Sequence, residues 1–209
     1  MLQSPEPDAV REMPLPFGLR PVLASNSPRR RELLGMLAPS FRQATPPDVD
    51  ETYPESLPHR EVPAYLSRLK AAACDHSALA GNEVMVTADT VVLCDGLILG
   101  KPHSRDEAVA MLRRLSGRDH EVVTGVTLSD RYGRLHTFSE CTTVSFAEIS
   151  EQDIATYVDI FKPYDKAGAY GIQEWIGAVG IKGVNGCFYN VMGLPLSALY
   201  RELGLFAEK

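Results

Sequence analysis

A short turn holds the densest set of anion-binding groups in this chain. It reads Leu23-Ala24-Ser25-Asn26-Ser27-Pro28-Arg29-Arg30-Arg31, with the apolar residues Val22, Leu23 and Ala24 closing an expected buried strand. Pro28 suits the first position of a helix, so the arginines fall in its first turn. Helix N-termini carry partial positive charge and usually draw Asp or Glu there. Three arginines in that turn make sense if an anion sits with them. Backbone N–H groups, the hydroxyls of Ser25 and Ser27, and the forks of Arg29 and Arg30 together form a phosphate-binding set. The competing reading is a surface helix whose arginines point into water.

Asp89 is the second candidate. It follows the apolar run Val84-Met85-Val86-Thr87-Ala88, and a carboxylate at the end of a buried strand is costly unless it is paired, metal-bound or open to a cleft. It reads as a general base, a metal ligand or both, or else as a turn aspartate. Lys70 and Lys101 tip the reading toward chemistry. A carboxylate beside cations is what polyphosphate hydrolysis needs: a base for water, and positive charge for the phosphoryl oxygens.

A third segment, Asp165-Lys166-Ala167-Gly168-Ala169-Tyr170-Gly171-Ile172-Gln173, has two glycines that let a backbone come close to a ligand. The Gln173 amide offers a donor and an acceptor suited to a nucleobase edge, and Lys166 is counted with the substrate-binding residues. The plainer reading is a glycine-containing turn before a strand. Asp48, Asp50 and Glu51 make an acidic loop, usually a solvated feature; Glu51 is the member assigned to a divalent cation. His120 reads as structural. Cys74, Cys94, Cys141 and Cys187 are widely spaced, fit neither zinc nor a disulfide framework, and read as small hydrophobes of a reducing cytoplasm.

The elements that must position these groups follow from period and punctuation. Residues 1–18 carry four prolines and are expected to be a flexible extension outside a single domain over 19–209. Strands are predicted at 20–24, 41–44, 84–88, 91–94, 97–99, 121–128, 135–147, 179–184 and 188–191. Helices are predicted at 28–37, 61–79, 104–115, 150–160 and 195–203. Ser104 with Glu107 forms an expected capping box. Asn185-Gly186 is the strongest hairpin signal. Helices and strands alternate early and hairpins dominate later, which predicts an α/β protein with a mixed sheet. Ligands in such sheets gather at the carboxyl ends of strands.

Composition sets the outer limits. The 209 residues include 44% hydrophobic and 23% charged side chains, and the net charge is −6. That balance suits a globular protein and lacks the basic footprint of a nucleic-acid binder. No apolar run nears the roughly 18 residues of a membrane span, and the start lacks the pattern of a signal peptide.

Taken together, the segments resemble the Maf family of nucleotide pyrophosphatases. The matching pieces are Ser25-Asn26-Ser27-Pro28-Arg29-Arg30, Ala88-Asp89-Thr90-Val91-Val92, Gly100-Lys101-Pro102, Ser116-Gly117-Arg118 with His120, Thr124-Gly125-Val126, the 165–173 segment and Gly193-Leu194-Pro195-Leu196. The resemblance implies a mixed α/β fold similar to inosine triphosphate pyrophosphatases, with a deep cleft. It also implies hydrolysis of nucleoside triphosphates to the monophosphate and pyrophosphate with a divalent metal (Mg2+, Mn2+ or Co2+), Asp89 as proton acceptor, and a possible homodimer. Arg29, Thr90 and Gln173 match members of the dTTP/UTP type. Two other readings stay open: the same chemistry on a modified nucleotide such as 7-methyl-GTP, or a nucleotide-binding regulator of septum formation. Glu174-Trp175-Ile176 departs from the family pattern, and Trp175 is expected to pack rather than shield the cleft.

Overall fold

The computed structural model describes Leu15 and residues 17–208. One mixed sheet forms the middle layer. Its strands are β1 (Arg20–Ala24), β2 (Arg42–Ala44), β3 (Glu83–Cys94), β4 (Leu97–Leu99), β5 (Asp119–Ser129), β6 (Leu135–Phe146) and β7 (Ile181–Asn185). The order across the sheet is β2-β1-β3-β5-β6-β7, with β4 also paired to β3. β1 lies parallel to β2 and β3; every other pairing is antiparallel. The expected mixed sheet is therefore present.

Helices cover both faces. They are α1 (Pro28–Leu37), α2 (Val62–Ala72), α3 (Arg105–Leu115), α4 (Glu151–Phe161), α5 (Trp175–Gly180), α6 (Phe188–Met192) and α7 (Leu196–Ala207). α2 packs Val62 and Leu66 on Val91 and Val123 of one face. On the opposite face Val86, Ala88, Val92, Val122 and Val126 join Leu33, Leu112, Tyr157 and Leu199 in the main core. Alternate residues of β3 therefore serve opposite layers, as a period of two requires. Among the described residues no helix is long and apolar enough to cross a membrane.

Several expectations need correction. The strand expected to stop before Asp89 runs straight through it. β5 pairs with β3 without a break from Met85↔Ser129 to Leu93↔Glu121, and that ladder outweighs the poor strand propensity of aspartate. α2 ends at Ala72 rather than at residue 79, because Asp75 takes both the N–H and the hydroxyl of Ser77 at 2.9 and 2.6 Å and bends the chain. Asn185-Gly186 is no hairpin turn. Residues 188–192 are a short helix, since the buried Asn190 amide donates to Val122 O and Thr142 Oγ1 and draws the segment across the sheet. α5 stands where the strand at 179–184 was to begin.

The fold also reaches back past residue 19: Leu15 is buried in the main core, and the Phe17 ring packs on Tyr200 of α7. Residues 1–14, also assigned to a flexible extension, lie outside the described residues. Caps behaved as read at α3 and α4, where Ser104 and Ser150 accept N–H groups three residues on. Glu107 reaches back one residue further than a capping box needs, to the His103 N–H at 2.8 Å.

Candidate active site

The sheet itself makes the opening. On one edge of β3, β1 pairs with residues 83–86 and β4 with residues 92–94. Residues 87–91 lie between them, beyond the carboxyl end of β1. A cleft of about 730 Å³ occupies this gap, a volume suited to a small molecule. Every site residue expected from the sequence lines it: Ser25, Ser27, Arg29, Arg30, Glu51, Lys70, Asp89, Thr90, Lys101, Lys166 and Gln173. Asp48 and Asp50 do not. Trp175 packs against the core instead of the cleft.

Asp89 and Thr90 are neighbours that face opposite layers. Asp89 points to the α2 side, where the Lys70 ammonium donates to its Oδ1 at 2.6 Å and also pairs with Glu51 Oε1 at 2.8 Å. Lys70 arrives there because α2 rides against a glycine. Gly125 is the partner of Asp89 across the ladder, and a Cβ on it would lie 2.3 Å from Ala64 N. Any larger residue would lift α2 and carry Lys70 away. Burial works against the Glu51 charge, but the Lys70 hydrogen bond and the charges of Lys70, Lys101 and Arg30 outweigh it and hold its pKa below the ordinary carboxylate value.

Thr90 points to the α1 side. Arg30 spends its guanidinium there, donating to Gly193 O at 2.9 Å, Ala88 O at 2.8 Å and Thr90 Oγ1 at 3.0 Å. Three of its five N–H donors are thus spent on the protein, which fixes Thr90 and holds the positive charge at the cleft wall. Burial lowers its pKa while Asp89 pushes the other way. Ser25 and Ser27 shape the turn: Ser25 Oγ accepts the Ser27 N–H at 3.2 Å, and Ser27 Oγ caps α1 at the Arg30 N–H, 3.3 Å away. No acidic residue lies in the first turn of α1; the acid comes from elsewhere. Asp165 Oδ2 meets Arg29 Nη1 at 2.5 Å.

The far wall is the 165–173 segment. It is neither a simple turn nor the prelude to a strand, but an irregular loop with a 3-10 turn at Ala167–Ala169, leading into α5. Gly168 and Ala169 have φ of 68° and 60°, in the left-handed region. Gly168 N–H donates to Gly100 O at 3.0 Å, which ties the loop to the segment holding Lys101. Lys101 and Gln173 are exposed, and among the described residues neither side chain has an ion pair or hydrogen bond to the protein. Lys166 is buried between Asp165 and Glu174, at 2.7 and 3.0 Å. Beneath the loop, the Tyr170 hydroxyl and His120 Nε2 lie 2.7 Å apart, and burial lowers the His120 pKa to about 4. His120, read as structural, is buried beneath the loop and does not line the cleft.

Tyr157 and Glu174, which brace the far wall from behind without lining the cleft, were missed, and Tyr53, which lines it, was passed over as loop. Tyr157 lies in α4 at helical spacing with Ile154 and Val158 and looks like core; only its hydroxyl hinted at a polar partner.

The expected metal can be tested on the donor set. Asp89 and Glu51 converge on a single cationic position, which Lys70 holds. Among the described residues no three His, Cys, Asp or Glu side chains gather. A hard cation that takes one or two carboxylates and completes its shell with water and substrate phosphates fits this set; a cation needing an all-protein cage does not.

The family profile described as Maf-like protein matches residues 20–206. A dTTP/UTP pyrophosphatase of Porphyromonas gingivalis is 52% identical over 188 residues, covering 90% of this chain and 94% of that protein. One from Phocaeicola vulgatus is 49% identical over 182 residues, covering 87% and 93%. Among solved structures, the Ham1 protein of Staphylococcus aureus superposes with a TM-score of 0.48 at 16% identity, covering 91% of this chain and all of that one. A nucleoside-triphosphatase, dITP/XTP pyrophosphatase, of Mycobacterium abscessus gives 0.45 at 13% identity, covering 90% and 98%. The chain belongs to the Maf family.

Proposed function

We propose that this Maf protein hydrolyses nucleoside triphosphates, dTTP and UTP before others, to the monophosphate and pyrophosphate. One observation carries the chemistry: Asp89 lies where one edge of β3 is left uncovered between β1 and β4, and it faces the cleft with Lys70 on its Oδ1. The substrate choice rests on relatives named dTTP/UTP pyrophosphatase and on Arg29, Thr90 and Gln173.

In this reading the triphosphate lies against the 25–30 turn, where Arg29, Lys70 and Lys101 balance its charge. Asp89 accepts a proton from a water directed at the α-phosphorus, and pyrophosphate leaves. Lys70 steadies the carboxylate and answers the charge gathering on the phosphoryl oxygens. Gln173 pairs with the pyrimidine edge, and a base that leaves its amide unmatched is rejected. Mg2+, Mn2+ or Co2+, held by Asp89 and Glu51, would supply charge neutralisation for the phosphates.

Pyrophosphate release from dTTP, UTP, CTP, GTP, ATP and 7-methyl-GTP, with each metal, is the test. Selective turnover of dTTP and UTP is expected. Turnover of 7-methyl-GTP alone keeps the chemistry and removes the specificity. Tight binding without turnover transfers the case to the nucleotide-binding regulator. We further assign the protein to the cytoplasm, a reading supported by four free thiols, and to a homodimer, which light scattering after size exclusion checks.

A further inference from the structure

A chain of polar contacts runs behind the far wall of the cleft. The Tyr157 phenol, fully buried on α4, donates to Glu174 Oε2 and accepts the Gly171 N–H at 3.1 Å. Glu174 Oε1 takes the Lys166 ammonium at 3.0 Å. Lys166 also donates to Asp165 Oδ1 at 2.7 Å, and the other Asp165 oxygen takes Arg29 at 2.5 Å. Gln173 hangs between two of these anchors, Gly171 and Glu174. The approach is close: a Cβ on Gly171 would stand 2.8 Å from Glu174 Cδ.

We infer that Glu174 is a positioning residue that both aims Gln173 at the base and sets, through Lys166 and Asp165, how much of the Arg29 charge is free for phosphate. This rests on the pyrophosphatase reading above and extends it to a residue that touches no substrate. The charges dictate the logic. Lys166 is a buried cation shared by two carboxylates, and Asp165 is a carboxylate shared by two cations. While Glu174 holds part of Lys166, Asp165 has negative charge to spare for Arg29. Without the Glu174 charge, Lys166 draws on Asp165 alone, and Arg29 is released toward the cleft. Burial first, then the hydrogen bond to Glu174, raises the Tyr157 pKa, so the phenol keeps its proton and serves Glu174 as a donor. Asp165 is held down at about 2 against the effect of its burial, by Lys166 and Arg29, and stays charged wherever the enzyme works.

The two tasks predict opposite signs for one substitution, which a general loosening of the fold would not give. In the full chain, Glu174→Gln should lower the ratio of kcat/KM for dTTP over dCTP about tenfold, mainly through the KM of dTTP, because the base edge loses one fixed partner. The same variant should bind inorganic pyrophosphate about three- to fivefold more tightly by calorimetry, the scale of one partly exposed ion pair. Tyr157→Phe should lower the dTTP/dCTP ratio without tightening pyrophosphate, since Glu174 keeps its charge. The proposal is overturned if Glu174→Gln weakens or leaves unchanged pyrophosphate binding, or leaves the ratio intact. It is equally overturned if Tyr157→Phe, which stands in should Glu174→Gln not fold, leaves the ratio unmoved or tightens pyrophosphate. A wild type that turns over no nucleotide sinks the pyrophosphatase reading instead, while the pyrophosphate arm still tests the charge sharing.

Discussion

The two walls of the cleft are built in opposite ways. The backbone of the 25–30 turn is shaped by its own neighbours, Ser27 N–H on Ser25 Oγ, Arg30 N–H on Ser27 Oγ and Pro28 at the head of α1, while its Arg29 and Arg30 side chains reach distant partners. The 165–173 loop is held mainly from afar, by Gly100 O, the Tyr157 hydroxyl and Arg29. Its left-handed Gly168 and Ala169 are conformations that only surrounding structure can impose. Local contacts of that kind are written in consecutive residues. A wall made of distant contacts exists only in the finished fold.

The sharpest way to separate walls from chemistry is Asp89→Asn. It should cut pyrophosphate release by about 10²- to 10⁴-fold, the range for a lost general base, while calorimetry shows nucleotide still bound between two unaltered walls. Acid should attack the far wall next. The unfolded chain protonates His120 near its ordinary value of 6.5, the folded protein only near 4. The unfolded state thus binds more protons between those values, and stability falls as pH drops through them, by up to roughly 3 kcal/mol. Thermal melts from pH 7 to 4 check this, and His120→Phe should flatten that slope. Gly168→Ala should then cost about 1–3 kcal/mol, since φ is positive and the new methyl would meet Val92 at 3.1 Å. Denaturant melts measure that cost; the dTTP/dCTP ratio should fall too. Ser27→Ala is the smallest, about 1 kcal/mol for a lost cap, read in the same melts with base selectivity unchanged.

The same contrast explains how much was legible beforehand. Strand, turn and α1 were read correctly over 20–37 because cap, proline and apolar run are consecutive. Asp89 was singled out and does line the cleft, but its strand was cut there, since the uninterrupted pairing with β5 is not written in residues 84–94. Asn185-Gly186 misled for a related reason: a strong local hairpin signal gave way to the buried bonds of Asn190. Lys70 was chosen for its type, yet what brings it to Asp89 is the absence of a side chain at Gly125, more than fifty residues later. Tyr157 and Glu174 escaped because a polar tip on a core-like helix and an acid after a glutamine acquire meaning only when the loop closes over them.

The gap along residues 87–91 of β3 has one more consequence. A strand with an uncovered edge invites a foreign strand to add to it, and folded proteins guard such edges against self-assembly. Here the guard is Arg30, whose guanidinium occupies the Ala88 carbonyl from the side. The arginine beside Asp89 thus takes up a carbonyl that an added strand would need.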